Sequence, residues 1–172
     1  MNTLRITSGK YRGRNIATPG GATHPMGERE RLALFNMISP FIAGASVLDA
    51  FAGSGSLGIE ALSRGAREVV FVEQNPKAVT IIRKNLDGLG IQAKIIGGKV
   101  SNYETQNQFD LIIADPPYDA FDLEEVVTLI KHLKDHGIFI LSHPNEAPEV
   151  PGVTLDKSRK YANATISIYC KA

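Results

Sequence analysis

The chain has 172 residues, 19 Lys and Arg against 18 Asp and Glu, 43% apolar residues and one cysteine. That length fits one domain with a core needing no covalent staples, and the ordinary composition excludes global disorder and a fibrous protein. No apolar run reaches the ~20 residues of a membrane span, the opening MNTLRITSGK lacks a signal peptide's apolar stretch, and Cys170 alone makes neither an internal disulfide nor a cysteine-based zinc cage. The expectation is a soluble cytoplasmic protein.

The net charge of +1 hides an asymmetry. Residues 1–36 hold six basic groups (Arg5, Lys10, Arg12, Arg14, Arg29, Arg31) and two acidic ones (Glu28, Glu30), a balance of +4. The remainder carries −3. A basic segment on a slightly acidic body points to an anionic partner held by one end of the molecule.

Residues 3–8 and 12–18 read as short strands around a turn from Gly9 to Gly13. Pro25 suits the first turn of a helix to about Ser39, with Leu32, Phe35 and Ile38 along one face. From residue 45, strands and helices alternate. Ser46-Val47-Leu48 is a short buried strand leading to Asp49, and a Gly-rich turn opens a helix at about Leu57–Ser63. Glu68–Val72 is the next strand. Asn75-Pro76 starts a helix that stops at Gly90. Ala93–Ile96 and Phe109–Ala114 are further strands. A helix is expected over 122–136, ended by Gly137 and followed by a strand at Ile138–Leu141. Strands near 153–158 and 163–170 form a closing hairpin. Short apolar strands alternating with amphipathic helices predict an α/β fold, a mostly parallel sheet covered on both faces. Ligands of such sheets bind at the carboxyl ends of the strands, so the chemistry belongs in the loops after Leu48, Val72, Ile96 and Ala114.

The first of these loops reads Asp49-Ala-Phe51-Ala-Gly53-Ser-Gly55-Ser-Leu-Gly58, and Glu73 ends the second strand. Glycines let a ligand approach the backbone, and an acid at that distance accepts ribose hydroxyls. This fits an adenosine-type cofactor, or merely a tight strand–helix turn with a capping acid. Asp49 favours S-adenosylmethionine over NAD, because a carboxylate suits an ammonium and repels a pyrophosphate. Asp115-Pro116-Pro117-Tyr118, directly after the fourth strand, is the most specific signal. A carboxylate and a rigid backbone carbonyl can accept the two N–H bonds of a nucleobase amine. That aims its lone pair at a methyl donor, while the tyrosine ring offers a stacking face.

With these motifs the chain resembles the class I amino-methyltransferases, and most closely the bacterial 16S rRNA guanine-N2 methyltransferase family named for guanine 966. The resemblance runs through Gly9-Lys10-Tyr11-Arg12-Gly13-Arg14, Arg29-x-Arg31-x-Ala33-Leu34-Phe35-Asn36, the Asp49 loop, Glu60-Ala61-Leu62-Ser63-Arg64-Gly65-Ala66 and Arg159-Lys160-Tyr161. It implies a Rossmann-like class I fold, a seven-stranded mostly parallel sheet with helices on both faces. A small basic hairpin and helix, residues 1–40, would precede a methyltransferase domain, 41–172. It implies S-adenosyl-L-methionine as cofactor, held by Asp49, Phe51, Gly53, Gly55, Glu73 and Val100. Asp115, Pro116, Pro117 and Tyr118 would hold the target guanine. Lys10, Tyr11, Arg12, Arg14, Arg29 and Arg31 would contact RNA. The implied partner of a monomeric protein is 16S rRNA in an assembling or assembled small subunit.

Four positions depart from the family pattern: Lys99 replaces an acid after the third strand, His24 and Met26 replace an Arg and a small hydroxyl residue before the first helix, and Ser142 stands where Glu is usual. Lysine accepts no hydrogen bond from an adenine amine. Phe51 reads as packing beneath the cofactor, and Tyr11 as either an RNA-stacking or a hairpin-packing residue. His132 and His136 lie four apart with no third ligand evident, so no metal site is expected. The alternatives are a non-catalytic RNA-binding or assembly factor on the same fold, an NAD-dependent dehydrogenase, or a DNA amino-methyltransferase. The dehydrogenase leaves Asp49, Asp115 to Tyr118 and the basic arm without a task. A DNA enzyme would usually add a recognition domain.

Overall fold

The computed structural model describes residues 2–20, 26–162 and 164–172. The expectation placed on Pro25 and the departure at His24 lie outside them. Two short strands, β1 (Thr3–Arg5) and β2 (Asn15–Ala17), form an antiparallel pair followed by α1 (Glu28–Met37). These strands are shorter than the sequence pattern predicts. β3 (Ser46–Ala50), α2 (Ser56–Ser63), β4 (Glu68–Glu73), α3 (Pro76–Leu89) and β5 (Lys94–Gly97) build the first half of the main sheet. β6 (Phe109–Ala114), α4 (Leu123–Val127), β7 (Leu133–His143), β8 (Thr154–Lys160) and β9 (Thr165–Cys170) build the second. The order is β5-β4-β3-β6-β7-β9-β8, parallel from β5 to β7 and antiparallel at β9 and β8.

Alternation along the central strands sends side chains to two cores. Val47, Phe71, Leu111, Ile113, Ile138 and Ile140 meet Leu34, Phe35 and Ile38 of α1, Ile59 of α2 and Ile82 of α3. Leu48, Val72, Ile112, Phe139 and Tyr169 meet Val126 and Leu129 on the other side. Ile6 and Ile16 of the N-terminal segment belong to the first of these cores. Among the described residues no helix is long and apolar enough to cross a membrane.

The helix expected over 122–136 is much shorter. α4 ends at Val127, a 3-10 turn covers Thr128–His132, and β7 begins at Leu133. Leu133 is fully buried and pairs with Phe109, so sheet pairing overrides the helical period. His136 takes φ 63, and its amide bonds to the Lys171 carbonyl at 3.0 Å. The two histidines therefore do not share a helix face, and His132 Nε2 lies 3.3 Å from the Tyr103 carbonyl.

The strand order reverses at β3: β4 and β5 lie on one side of it, β6 and β7 on the other. The loops after β3 and β6 therefore face each other across the crevice where such sheets bind ligands. Asp49 pairs with Ile113 and Ala50 with Ala114, which brings the Asp49 loop beside Asp115.

Candidate active site

The loop after β3 is tightly organised. Asp49 is 1% exposed, and its Oδ2 accepts the Gly58 N–H at 2.9 Å in the first turn of α2. The carboxylate thereby satisfies a donor the helix cannot, and it sits at the positive end of the dipole. Phe51 is held at φ 57, an arrangement that costs a non-glycine residue about 1–3 kcal/mol and occurs mainly at functional sites. Its ring packs beside the second core. Gly53 has φ 58, and a Cβ built there would meet nothing within 4 Å, so the loop faces open space. Gly58 serves packing instead: its Cβ would come within 2.4 Å of the Phe71 ring.

Glu73 ends β4 and ties two segments together. Its Oε2 accepts the Gly53 N–H at 2.7 Å, and its Oε1 accepts the Asn75 N–H at 2.9 Å. Asn75 caps α3 by accepting the Lys77 N–H at 2.9 Å. Each Glu73 oxygen retains lone-pair capacity for a ligand hydroxyl.

Across the crevice, Asp115 follows the buried strand β6. Ser142, near the end of β7, hydrogen-bonds the Tyr118 hydroxyl and favours the charged form of the Asp115 carboxyl beside it. Burial pushes the Asp115 carboxyl up to about 6, against the lowering effect of Ser142. Burial also pushes the Tyr118 hydroxyl up to about 12, with Ser142 opposing and the Asp115 and Glu30 charges adding. Asp49 is raised well above the usual carboxylate range. Burial is the main cause, the Gly58 N–H opposes it, and the charges of Asp115 and Glu73 add to it. Three carboxyl groups thus surround one crevice, and the charges of Asp115 and Glu73 disfavour the ionisation of Asp49. A cation placed among them relieves that repulsion.

Val100 is buried beside Leu48, Ala50 and Ala114, while Lys99 is exposed. A separate hollow of about 360 Å³, lined by Phe41, Asp110 and His136, lies by the opposite ends of β6 and β7.

The basic N-terminal residues divide. Lys10, Arg12, Arg14 and Arg29 are exposed. Arg14 donates to the Gly88 carbonyl at 3.0 Å. Tyr11 is half-buried against the first core, with the Lys10 ammonium 5.4 Å from its ring centre. Arg31 corrects the sequence expectation of an RNA contact: it is 1% exposed. Its Nε lies 3.5 Å from Glu60, and its Nη2 donates to the Arg5 carbonyl at 2.5 Å. A guanidinium enclosed in this way does not reach a phosphate in solution. Glu60, also 1% exposed, accepts the Thr7 N–H at 2.9 Å and the Thr7 hydroxyl at 2.7 Å, and it pairs with Arg64 at 3.3 Å.

Glu60 and Ser63 were not singled out from sequence as individually important. Ser63 accepts the Tyr11 N–H through its hydroxyl at 2.9 Å and the Lys10 N–H through its carbonyl at 2.8 Å. A Cβ on Gly9 would fall 1.8 Å from that carbonyl, so the Gly-Lys-Tyr-Arg-Gly-Arg turn fits the end of α2 only with glycine there. The available signal was that Glu60 is the one charged residue of α2.

The family described as "Conserved hypothetical protein 95" matches residues 4–170. A Haemophilus influenzae protein, ribosomal RNA small subunit methyltransferase D, is 37% identical over 84% of this chain and 81% of its own length. The chain belongs to this family. The solved Escherichia coli protein yhhF superposes on this family member with a TM-score of 0.89 and 30% identity, covering 99% of this chain and 98% of its own. The Thermus thermophilus 16S rRNA N2 methyltransferase, solved in complex with AdoMet and guanosine, shares the fold. Its TM-score is 0.73 at 20% identity, over 99% of this chain and 50% of that one. The fold of this family member is accordingly the Rossmann-like methyltransferase fold, with a seven-stranded sheet and a small antiparallel N-terminal pair.

Proposed function

We propose that the protein transfers a methyl group from S-adenosylmethionine to the exocyclic N2 amine of a guanine in 16S rRNA. The observation that carries this reading is Asp115 and the Ser142-anchored Tyr118 facing the Asp49–Glu73 loop across the switch point. The crevice fits the cofactor on two counts: clustered carboxyl groups suit a sulfonium and an ammonium, and the open space over Gly53 admits a ligand against the backbone. When bound, S-adenosylmethionine supplies an electrophilic methyl group. Asp49 and the Gly53–Gly55 backbone would hold its methionine end, Glu73 its ribose hydroxyls, and Val100 a wall of its adenine pocket.

Asp115 and a backbone carbonyl of Pro116-Pro117 accept the two N–H bonds of the guanine amine. They favour a pyramidal nitrogen with its lone pair aimed in line. As the nitrogen gains positive charge these bonds strengthen, so they stabilise the transition state more than the ground state. Asp115 at about 6 is ionised at neutral pH and can hold the proton the amine releases. Tyr118, anchored through its hydroxyl to Ser142, presents its ring to the extruded base. Residues 1–40 form an RNA-contacting extension in which Lys10, Arg12, Arg14 and Arg29 meet phosphates, and residues 41–172 carry the reaction. The substrate is 16S rRNA in an assembling or assembled small subunit, and the protein acts as a cytoplasmic monomer. Mass mapping of 16S rRNA from a deletion strain tests this reading. Loss of one N2-methylguanine, restored by the wild-type gene but not by Asp115→Ala, is the expected result. Unchanged rRNA modification would overturn it.

A further inference from the structure

β8 is the outer strand of the main sheet, and all seven of its residues are exposed. It carries Lys157, Arg159 and Lys160 against a single acid, Asp156. Strand register places this charge. Ser142 on β7 pairs with Ile166 on β9, and Ile166 pairs with Arg159 on β8. Arg159 therefore stands in the same transverse row as Ser142, two strands away, which is roughly 10 Å at the usual strand spacing. Directly paired residues project to the same face. Ile166 and Ile168 point into the first core, so Arg159 and Lys157, their partners, lie on the face that carries α1 and the N-terminal segment.

A second observation falls at the same corner. Tyr161, two residues beyond Arg159, packs against the first core, and its hydroxyl is buried with no hydrogen-bond partner among the described residues. Buried hydroxyls are normally satisfied, which sets this one apart at that corner.

We propose that Lys157 and Arg159 form a phosphate-binding edge for the single RNA strand whose extruded base enters beside Ser142. The proposal rests on the RNA-methylating reading given above. The row of Arg159 lies one nucleotide's reach from the site, so the flanking phosphodiesters of the target nucleotide would cross β8. Arginine and lysine suit that role because they neutralise phosphates without reading the base. The contact extends the RNA surface to the edge of the sheet, well away in sequence from the N-terminal arm.

The test is filter binding of transcribed 16S rRNA across a salt series, with the wild type, Lys157→Gln/Arg159→Gln, and Lys94→Gln on the opposite sheet edge as control. Two lost single-strand phosphate contacts should flatten the slope of log affinity against log salt by about 1.4. The double variant should bind roughly tenfold more weakly, and its loss in steady-state methylation should fall on KM for RNA. Lys94→Gln should match the wild type, and titration with S-adenosylmethionine should give one affinity for all three. An unchanged salt slope and affinity in the double variant overturns the proposal. So does unchanged RNA affinity accompanied by new self-association, because charges on an edge strand also block strand-to-strand pairing. RNA binding with the expected slope change but no methyl transfer by the wild type keeps this edge and removes the methyltransferase reading. A wild type that binds no RNA removes both.

Discussion

Asp115 is required for the proposed chemistry and costs the fold stability, and Asp115→Asn separates the two. Its carboxyl titrates at about 6 instead of 3.8, chiefly because burial disfavours its charge. That difference corresponds to about 3 kcal/mol against the ionised folded state at neutral pH. The sign follows from proton binding. Between 3.8 and about 6 the folded protein holds a proton the unfolded chain has released, so this group's contribution to stability falls as pH rises through that window. Asparagine has nearly the same shape, can accept from Ser142 through its carbonyl oxygen, and carries no charge. Its loss of charge also relieves Asp49, whose carboxyl is held up in part by Asp115. The variant should therefore be more stable than the wild type at pH 8 by about 1–3 kcal/mol, and the gain should vanish near pH 4. Urea unfolding at several pH values reads this directly. The same variant should lose methyl transfer in a single-turnover assay with saturating cofactor. Equal stability at pH 8, or a gain that grows toward acid, would refute the electrostatic account of the site.

Replacing Ser142 by Ala removes the hydroxyl that lowers the Asp115 carboxyl, so the acid limb of the pH–rate profile should move to higher pH; an unmoved limb would detach Ser142 from Asp115. Glu73→Ala loses charge-assisted hydrogen bonds of about 1.5–3 kcal/mol and should weaken S-adenosylmethionine binding by roughly ten- to a hundredfold by calorimetry. Glu60→Ala leaves Arg31 buried without its partner and should cost about 3–5 kcal/mol in urea unfolding, whereas a loss below 1 kcal/mol would mean the pair is solvated.

Much of this protein was legible in its sequence because the deciding forces act between near neighbours in the chain. Alternating apolar strands and amphipathic helices announced the sheet, Asn75-Pro76 and Gly90 set the ends of α3, and the glycines after Asp49 marked the loop proposed to hold the cofactor. Asp115-Pro116-Pro117-Tyr118 stood out because its position at a strand end follows from the apolar run before it. The tertiary structure alone decided the rest. The helical period from 122 onward stops at Val127 because Leu133 is needed opposite Phe109, and a buried sheet pairing outweighs a modest local preference. Arg31 reads as a phosphate contact from the family resemblance, which includes the Arg29-x-Arg31 pair. It is interior because Glu60, from a different helix, meets it there. Ser142 gained its place between Asp115 and Tyr118 only when β7 paired beside β6. A charge or hydroxyl takes its role from whatever folds against it, and that partner is set by how distant segments pack, which no local pattern records.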